Sequence, residues 1–137
     1  MNKIKMVGFI FLFTLILSIA NVKADSYLGL VGVTIPRLHG VYTSPSVEKT
    51  TISNQYVKKI GAVDNLSGDD RAMGARLKNV TTYYASLVTG QYTQLFNDNA
   101  GLGQTTGNYQ LQLRATKSTV STVSFSGTWI LDDYLIN

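Results

Sequence analysis

Two stretches near the C-terminus alternate strictly between apolar and polar residues. In 109–115, Tyr109, Leu111, Leu113 and Ala115 alternate with Gln110, Gln112 and Arg114. In 123–131, Val123, Phe125, Gly127, Trp129 and Leu131 alternate with Ser124, Ser126 and Thr128. Successive side chains of a strand point to opposite faces, so this period of two predicts two half-buried strands. The polar segment "TKST" between them has hairpin length, and 109–131 therefore reads as one long antiparallel hairpin. Trp129 shares the apolar parity and is the expected core anchor.

Other stretches carry the same signal less cleanly. "SYLGLVGVTI" is apolar on both parities and reads as a central strand, with its glycines allowing a bulge and Pro36 ending it. In "TTISNQYVKKIGAV", Tyr56, Lys58, Ile60 and Ala62 oppose Val57, Lys59, Gly61 and Val63. "TTYYASLVTGQYTQLF" is rich in threonine, tyrosine and valine, which suit a pleated surface, and Gly90 marks a turn or bulge inside it. Met73, Ala75 and Leu77 alternate with Gly74, Arg76 and Lys78, so another strand begins there. The stretch 97–108, "NDNAGLGQTTGN", is a loop by composition. The expected fold is all-β: a small antiparallel β-sandwich or partly open barrel, occupying 25–137 as a single domain.

The first 24 residues differ. Lys3 and Lys5 precede an apolar run from Met6 to about Ala20, followed by Val22-Lys23-Ala24. This is the pattern of a cleavable secretory signal helix, 1–24, and the run is shorter than the roughly 20 residues of a spanning helix. The expectation is a secreted, extracellular protein (periplasmic if the source has an outer membrane) with no permanent membrane span. Lys3, Lys5 and Lys23 leave with the signal and no acidic residue does. The remainder then carries nine basic against eight acidic residues, and its longest basic run is Lys58-Lys59. That balance argues against a nucleic-acid partner.

Candidate chemistry is sparse. The chain has no cysteine, which removes disulfides, thiolate ligands and cysteine nucleophiles. His39 is the only histidine; after Pro36 it reads as a surface turn residue. "GLGQTTG" lacks the lysine of a phosphate-binding loop. The densest charge is "DNLSGDDRAMGARL", 64–77. The stretch fails the spacing of an EF-hand, which leaves an irregular calcium loop from Asp64, Asn65, Asp69 and Asp70 as the alternative; against acid/base work, adjacent Asp69 and Asp70 point apart if extended. The stretch reads as a turn feeding a strand, with Arg71 or Arg76 neutralising a carboxylate. No catalytic residue, cofactor or metal site is expected.

What remains is surface chemistry. Tyrosine offers a flat apolar face and a hydroxyl, which suits half-exposed contacts. The candidate contact surface comprises Tyr83, Tyr84, Tyr92, Asn97, Asp98 and Asn99. Tyr83 and Tyr84 are adjacent, so one is expected in the core and the other outside. The reading is a small non-catalytic domain that binds a cell-wall polymer, a glycan or a protein partner at the cell envelope. The alternatives are a bacteriocin-like or membrane-acting toxin and an enzyme inhibitor presenting the loop 97–108.

Overall fold

The computed structural model describes residues 27–95 and 103–132. They form ten strands and no helix: β1 Tyr27–Ile35, β2 Tyr42–Thr43, β3 Val47–Lys49, β4 Tyr56–Asp64, β5 Met73–Leu77, β6 Ala85–Ser86, β7 Tyr92–Gln94, β8 Gly107–Tyr109, β9 Leu111–Ala115 and β10 Val123–Ile130. The expected signal segment, 1–24, lies outside the described residues. Among those described, no helix is long and apolar enough to cross a membrane.

Every strand pairing is antiparallel. One sheet has the order β1-β10-β4-β7, a second β2-β9-β5-β6, and a two-stranded ribbon joins β3 to β8. Each four-stranded sheet keeps two open edges, so neither closes into a barrel.

The alternation of 109–115 and 123–131 sets their faces as expected. Leu111, Leu113, Ala115, Val123, Phe125, Trp129 and Leu131 are all buried, and Ser124, Ser126 and Thr128 are not. The expected hairpin, however, does not form. β9 lies between β2 and β5 in one sheet, and β10 lies between β1 and β4 in the other. The segment 116–122 crosses between sheets instead of turning back within one. Both strands still send their apolar side chains into one cluster, which they share with Leu30, Ile35, Val57, Met73, Ala75 and Leu77. Trp129 is wholly buried there, and its indole N–H donates to Gln55 Oε1 at 2.9 Å.

The weaker patterns have physical causes. β1 is an edge strand, contrary to the expected central position, because it pairs only with β10. Its register shifts between Leu30 and Val33, where Gly32 has φ +58° and Val31 is 88% exposed. A bulge of this kind interrupts the row of edge groups that another strand would otherwise pair with. In β4 the register shifts opposite Ser126/Gly127. Val57 and Lys59 are buried before the shift, Ala62 and Asp64 after it. That slip is why 56–63 shows no single clean alternation.

"TTYYASLVTGQYTQ" is not one strand. It splits into β6 and β7, which belong to different sheets, with Gly90 at φ +83° in the turn between them. Part of the expected loop 97–108 pairs instead: Gly107–Tyr109 is β8, and 97–102 lies outside the described residues.

Candidate functional site

The acidic stretch is a turn, and two of its carboxylates, buried Asp64 and half-exposed Asp70, are organised by protein donors. Asp64 Oδ1 accepts the N–H groups of Leu66 and Ser67 and the Ser121 hydroxyl, at 2.8–3.0 Å; Oδ2 accepts Arg71 Nε at 2.9 Å. Gly68, at φ +79°, lets the chain turn back. The Ser67 N–H, the Ser121 hydroxyl and the Leu66 N–H, with Arg71, hold the Asp64 carboxyl far below the usual carboxylate range despite its burial. For Asp70, burial opposes ionisation, but the Ala62 N–H and Lys59 outweigh it and its carboxyl is also held low. Ala62 N donates to Oδ1 at 2.7 Å and Lys59 Nζ to Oδ2 at 2.9 Å. These contacts tie the β4–β5 turn shut. They make Arg71 the partner of a buried acid rather than of an exposed one. His39 stands exposed in the turn after β1 with φ +61°, its Nε2 3.0 Å from the Thr116 carbonyl oxygen.

The aromatic candidates separate. Tyr83 and Tyr84 line one groove of about 180 Å³ with Gly74, Ser86, Arg114 and Thr116. Tyr92 belongs to the other sheet, where Lys58 Nζ lies 5.3 Å from its ring centroid. Asn97, Asp98 and Asn99 lie outside the described residues. Neither member of the tyrosine pair enters the core. Tyr83 is 86% exposed, and Tyr84 is half-buried on the polar side of β5 and β9. Residues 81–84 are not in a strand, so the rule that neighbours face opposite sides of a sheet does not apply to them.

The groove is built by β5, β9 and the turn that follows β5. Met73, Ala75 and Leu77 take the core side of β5, which leaves Gly74 and Arg76 on the other. On β9 the same logic leaves Gln112 and Arg114 outside, and the register sets Gly74 opposite Arg114 and Arg76 opposite Gln112. After Leu77 the chain reverses. Asn79 takes φ +60°, a conformation asparagine tolerates, and the Thr81 hydroxyl accepts the Leu77 N–H at 3.0 Å. This returns Tyr84 over the sheet at Gly74, where a Cβ would stand 2.8 Å from Tyr84 Cβ. The missing side chain of Gly74 is thus the seat of Tyr84.

Two guanidiniums flank that ring. The Arg76 and Arg114 Cζ atoms lie 4.5 and 4.2 Å from the Tyr84 centroid, within the range of cation–π attraction. Arg76 also donates to Gln112 Oε1 at 2.9 Å and to the Thr82 carbonyl at 3.2 Å. Neither arginine has a carboxylate partner among the described residues, whereas Lys49, Lys59 and Arg71 each do. The Tyr84 hydroxyl is buried and has no hydrogen-bond partner among the described residues.

The sequence singles out the tyrosines as contact candidates and not the arginines that lie against Tyr84. Arg114 was visible on the polar parity of β9 and Arg76 on that of β5. Their convergence on one ring depends on strand register and on the 78–84 turn, which no local pattern encodes. No family model matches the chain, and neither the comparison with curated proteins nor that with solved structures returns a match.

Proposed function

We propose that this is a small exported, non-catalytic β domain that acts by binding at the cell envelope or another extracellular surface. The observation that carries this reading is the groove on β5 and β9. There an exposed tyrosine, Tyr83, shares the groove with Arg114, and Arg114 and Arg76, which have no carboxylate partner among the described residues, both lie against the Tyr84 ring. Aromatic and guanidinium groups presented together are a recurrent basis of recognition. The two four-stranded sheets would then act as a sandwich around their shared core, holding this outer face rigid. Export rests on the 1–24 pattern, with cleavage after Ala24; intact mass of the secreted protein should start at Asp25.

The test is co-sedimentation of purified protein with intact cells, insoluble cell wall and dye-loaded liposomes. Pelleting with cells or wall, without dye release, is the expected result. Dye release or killing would replace this reading with a membrane-acting toxin.

A further inference from the structure

Resting on that reading, we infer that the groove of Tyr83, Tyr84 and Arg114 takes an anionic glycan, a sugar or polyol chain bearing phosphodiester or carboxylate groups. Arg114 receives the anion and Tyr83 the sugar.

Charge complementarity makes the first part of the case. The positive groups of Lys49, Lys59 and Arg71 are neutralised by Asp132, Asp70 and Asp64. Arg114 and Arg76 are not neutralised by any carboxylate among the described residues, although they sit together. Lys78, which is exposed, continues the alternation of β5 beyond Arg76. An ordered guanidinium presents its N–H edge to a planar or tetrahedral anion in two parallel hydrogen bonds. Stacking at 4.2 Å on Tyr84 orders the Arg114 guanidinium before any ligand arrives, so less side-chain freedom is lost on binding. Arg76 is held by Gln112 and the Thr82 carbonyl, so of the two arginines at Tyr84 it is Arg114 that has no hydrogen-bond acceptor among the described residues.

Neighbouring groups make the second part. Tyr83, 86% exposed, offers a ring on which the C–H face of a sugar can lie. Ser86 and Thr116 line the same groove and supply hydroxyls that both donate and accept, matching sugar hydroxyls. Nucleic acid fits less well. Binders of that class neutralise about 6–10 phosphates along a basic track, and here two guanidiniums meet at a single tyrosine ring. A stable protein interface takes about 800 Å² from each partner, far more than this short groove offers.

The experiment measures binding of the wild type and of Arg114→Ala, Arg114→Lys, Tyr83→Ala and Lys58→Ala. The ligands are poly(glycerol phosphate), polygalacturonate, neutral dextran and anionic phospholipid vesicles. Circular dichroism confirms that each variant is folded; Tyr83→Ala, altering a side chain that is almost wholly in solvent, keeps the test available if Arg114→Ala is not. The expected result is binding to one or both anionic polymers, weaker at high salt, and little to dextran. Arg114→Ala and Tyr83→Ala should each weaken it by about tenfold or more, Arg114→Lys should not restore it, and Lys58→Ala should leave it unchanged. The two polymers separate phosphodiester from carboxylate as the anion. Equal binding by wild type, Arg114→Ala and Tyr83→Ala overturns the inference, as does equal binding to dextran, or binding to vesicles alone. If those variants still pellet with cell wall and the anionic polymers do not compete, the binding module stands and its ligand is of another class. If the wild type pellets with neither cells nor wall, the underlying reading fails as well.

Discussion

Lys49 Nζ lies 3.1 Å from Asp132 Oδ1, and both side chains are completely shielded from solvent. The pair fastens the end of β10 to β3. Lys49 also donates to Ser53 Oγ at 2.7 Å and to the Leu131 carbonyl, and Asp132 accepts from the backbone and hydroxyls of Thr50 and Thr51. Such a pair offsets its desolvation only while both partners and their hydrogen bonds are present.

Breaking it from one side should therefore be severe. Asp132→Ala or Lys49→Ala should each cost about 3–5 kcal/mol, because each leaves a buried, uncompensated charge. Urea denaturation of the two single variants and of Lys49→Met/Asp132→Leu checks this. The apolar double variant should recover part of the loss; single variants as stable as wild type would contradict the account.

Trp129 should behave as a core anchor. Trp129→Ala should cost about 3–5 kcal/mol, while Thr128→Ala, on the opposite side of β10, should change stability by less than about 0.5 kcal/mol. Because Trp129 is the only tryptophan and is fully buried, native fluorescence should be blue-shifted and poorly quenched by iodide. Ready quenching would place the indole at the surface and exclude the core described above.

Gly127 is fixed by its neighbours. A Cβ there would meet the Lys58 carbonyl oxygen at 2.3 Å and the Phe125 ring at 3.0 Å. Neither the central strand pair nor the ring beside it can yield that distance cheaply, so Gly127→Ala should lower the melting temperature sharply. Gly29→Ala, with open space around the added Cβ, is the control and should melt close to wild type. Equal melting of the two would show that β10 and β4 are more widely spaced than described.

Acid should find Asp64. Its carboxyl is held low in the folded state, whereas in the unfolded chain it returns to about 3.9. Between the native and unfolded pKa values the unfolded chain binds the extra proton, so stability rises with pH. The contribution is complete above about pH 4 and is lost as pH falls towards the native value. Asp64→Asn should therefore melt below wild type at neutral pH, and the gap should narrow on acidification. A gap independent of pH would refute the carboxylate's role.

Calcium should not stabilise the 64–70 turn. The Asp64 and Asp70 oxygens already accept Leu66, Ser67, Ser121, Arg71, Ala62 and Lys59. A cation would have to displace those donors and meet two basic groups. Melting temperatures in calcium and in chelator should coincide. A ligand bound to the native state alone at a hundredfold excess over Kd would add about 2.7 kcal/mol. An upward shift of several degrees that disappears in Asp69→Ala would establish a metal loop.

The sequence by itself determined which residues face inward along β9 and β10. Alternation reports the side of a pleated strand, and burial follows from side-chain polarity. It also marked the turns at Gly68 and Gly90, where positive φ favours glycine. It did not determine which strands pair. Leu111 and Trp129 carry the same inward signal whether their strands are neighbours in a hairpin or opposite one another across a core. The polar segment 116–122 is compatible with either route. Only the tertiary structure put β9 and β10 in different sheets, turned the apolar β1 into a bulged edge, and buried Lys49, Lys59 and Asp132, whose charge alone predicts exposure. Only it brought Arg76 and Arg114 to Tyr84. That arrangement needs the register of β5 on β9, the reversal at Asn79 and the space left by Gly74. Each of these is a relation between segments distant in the chain, and local polarity carries no record of such distances.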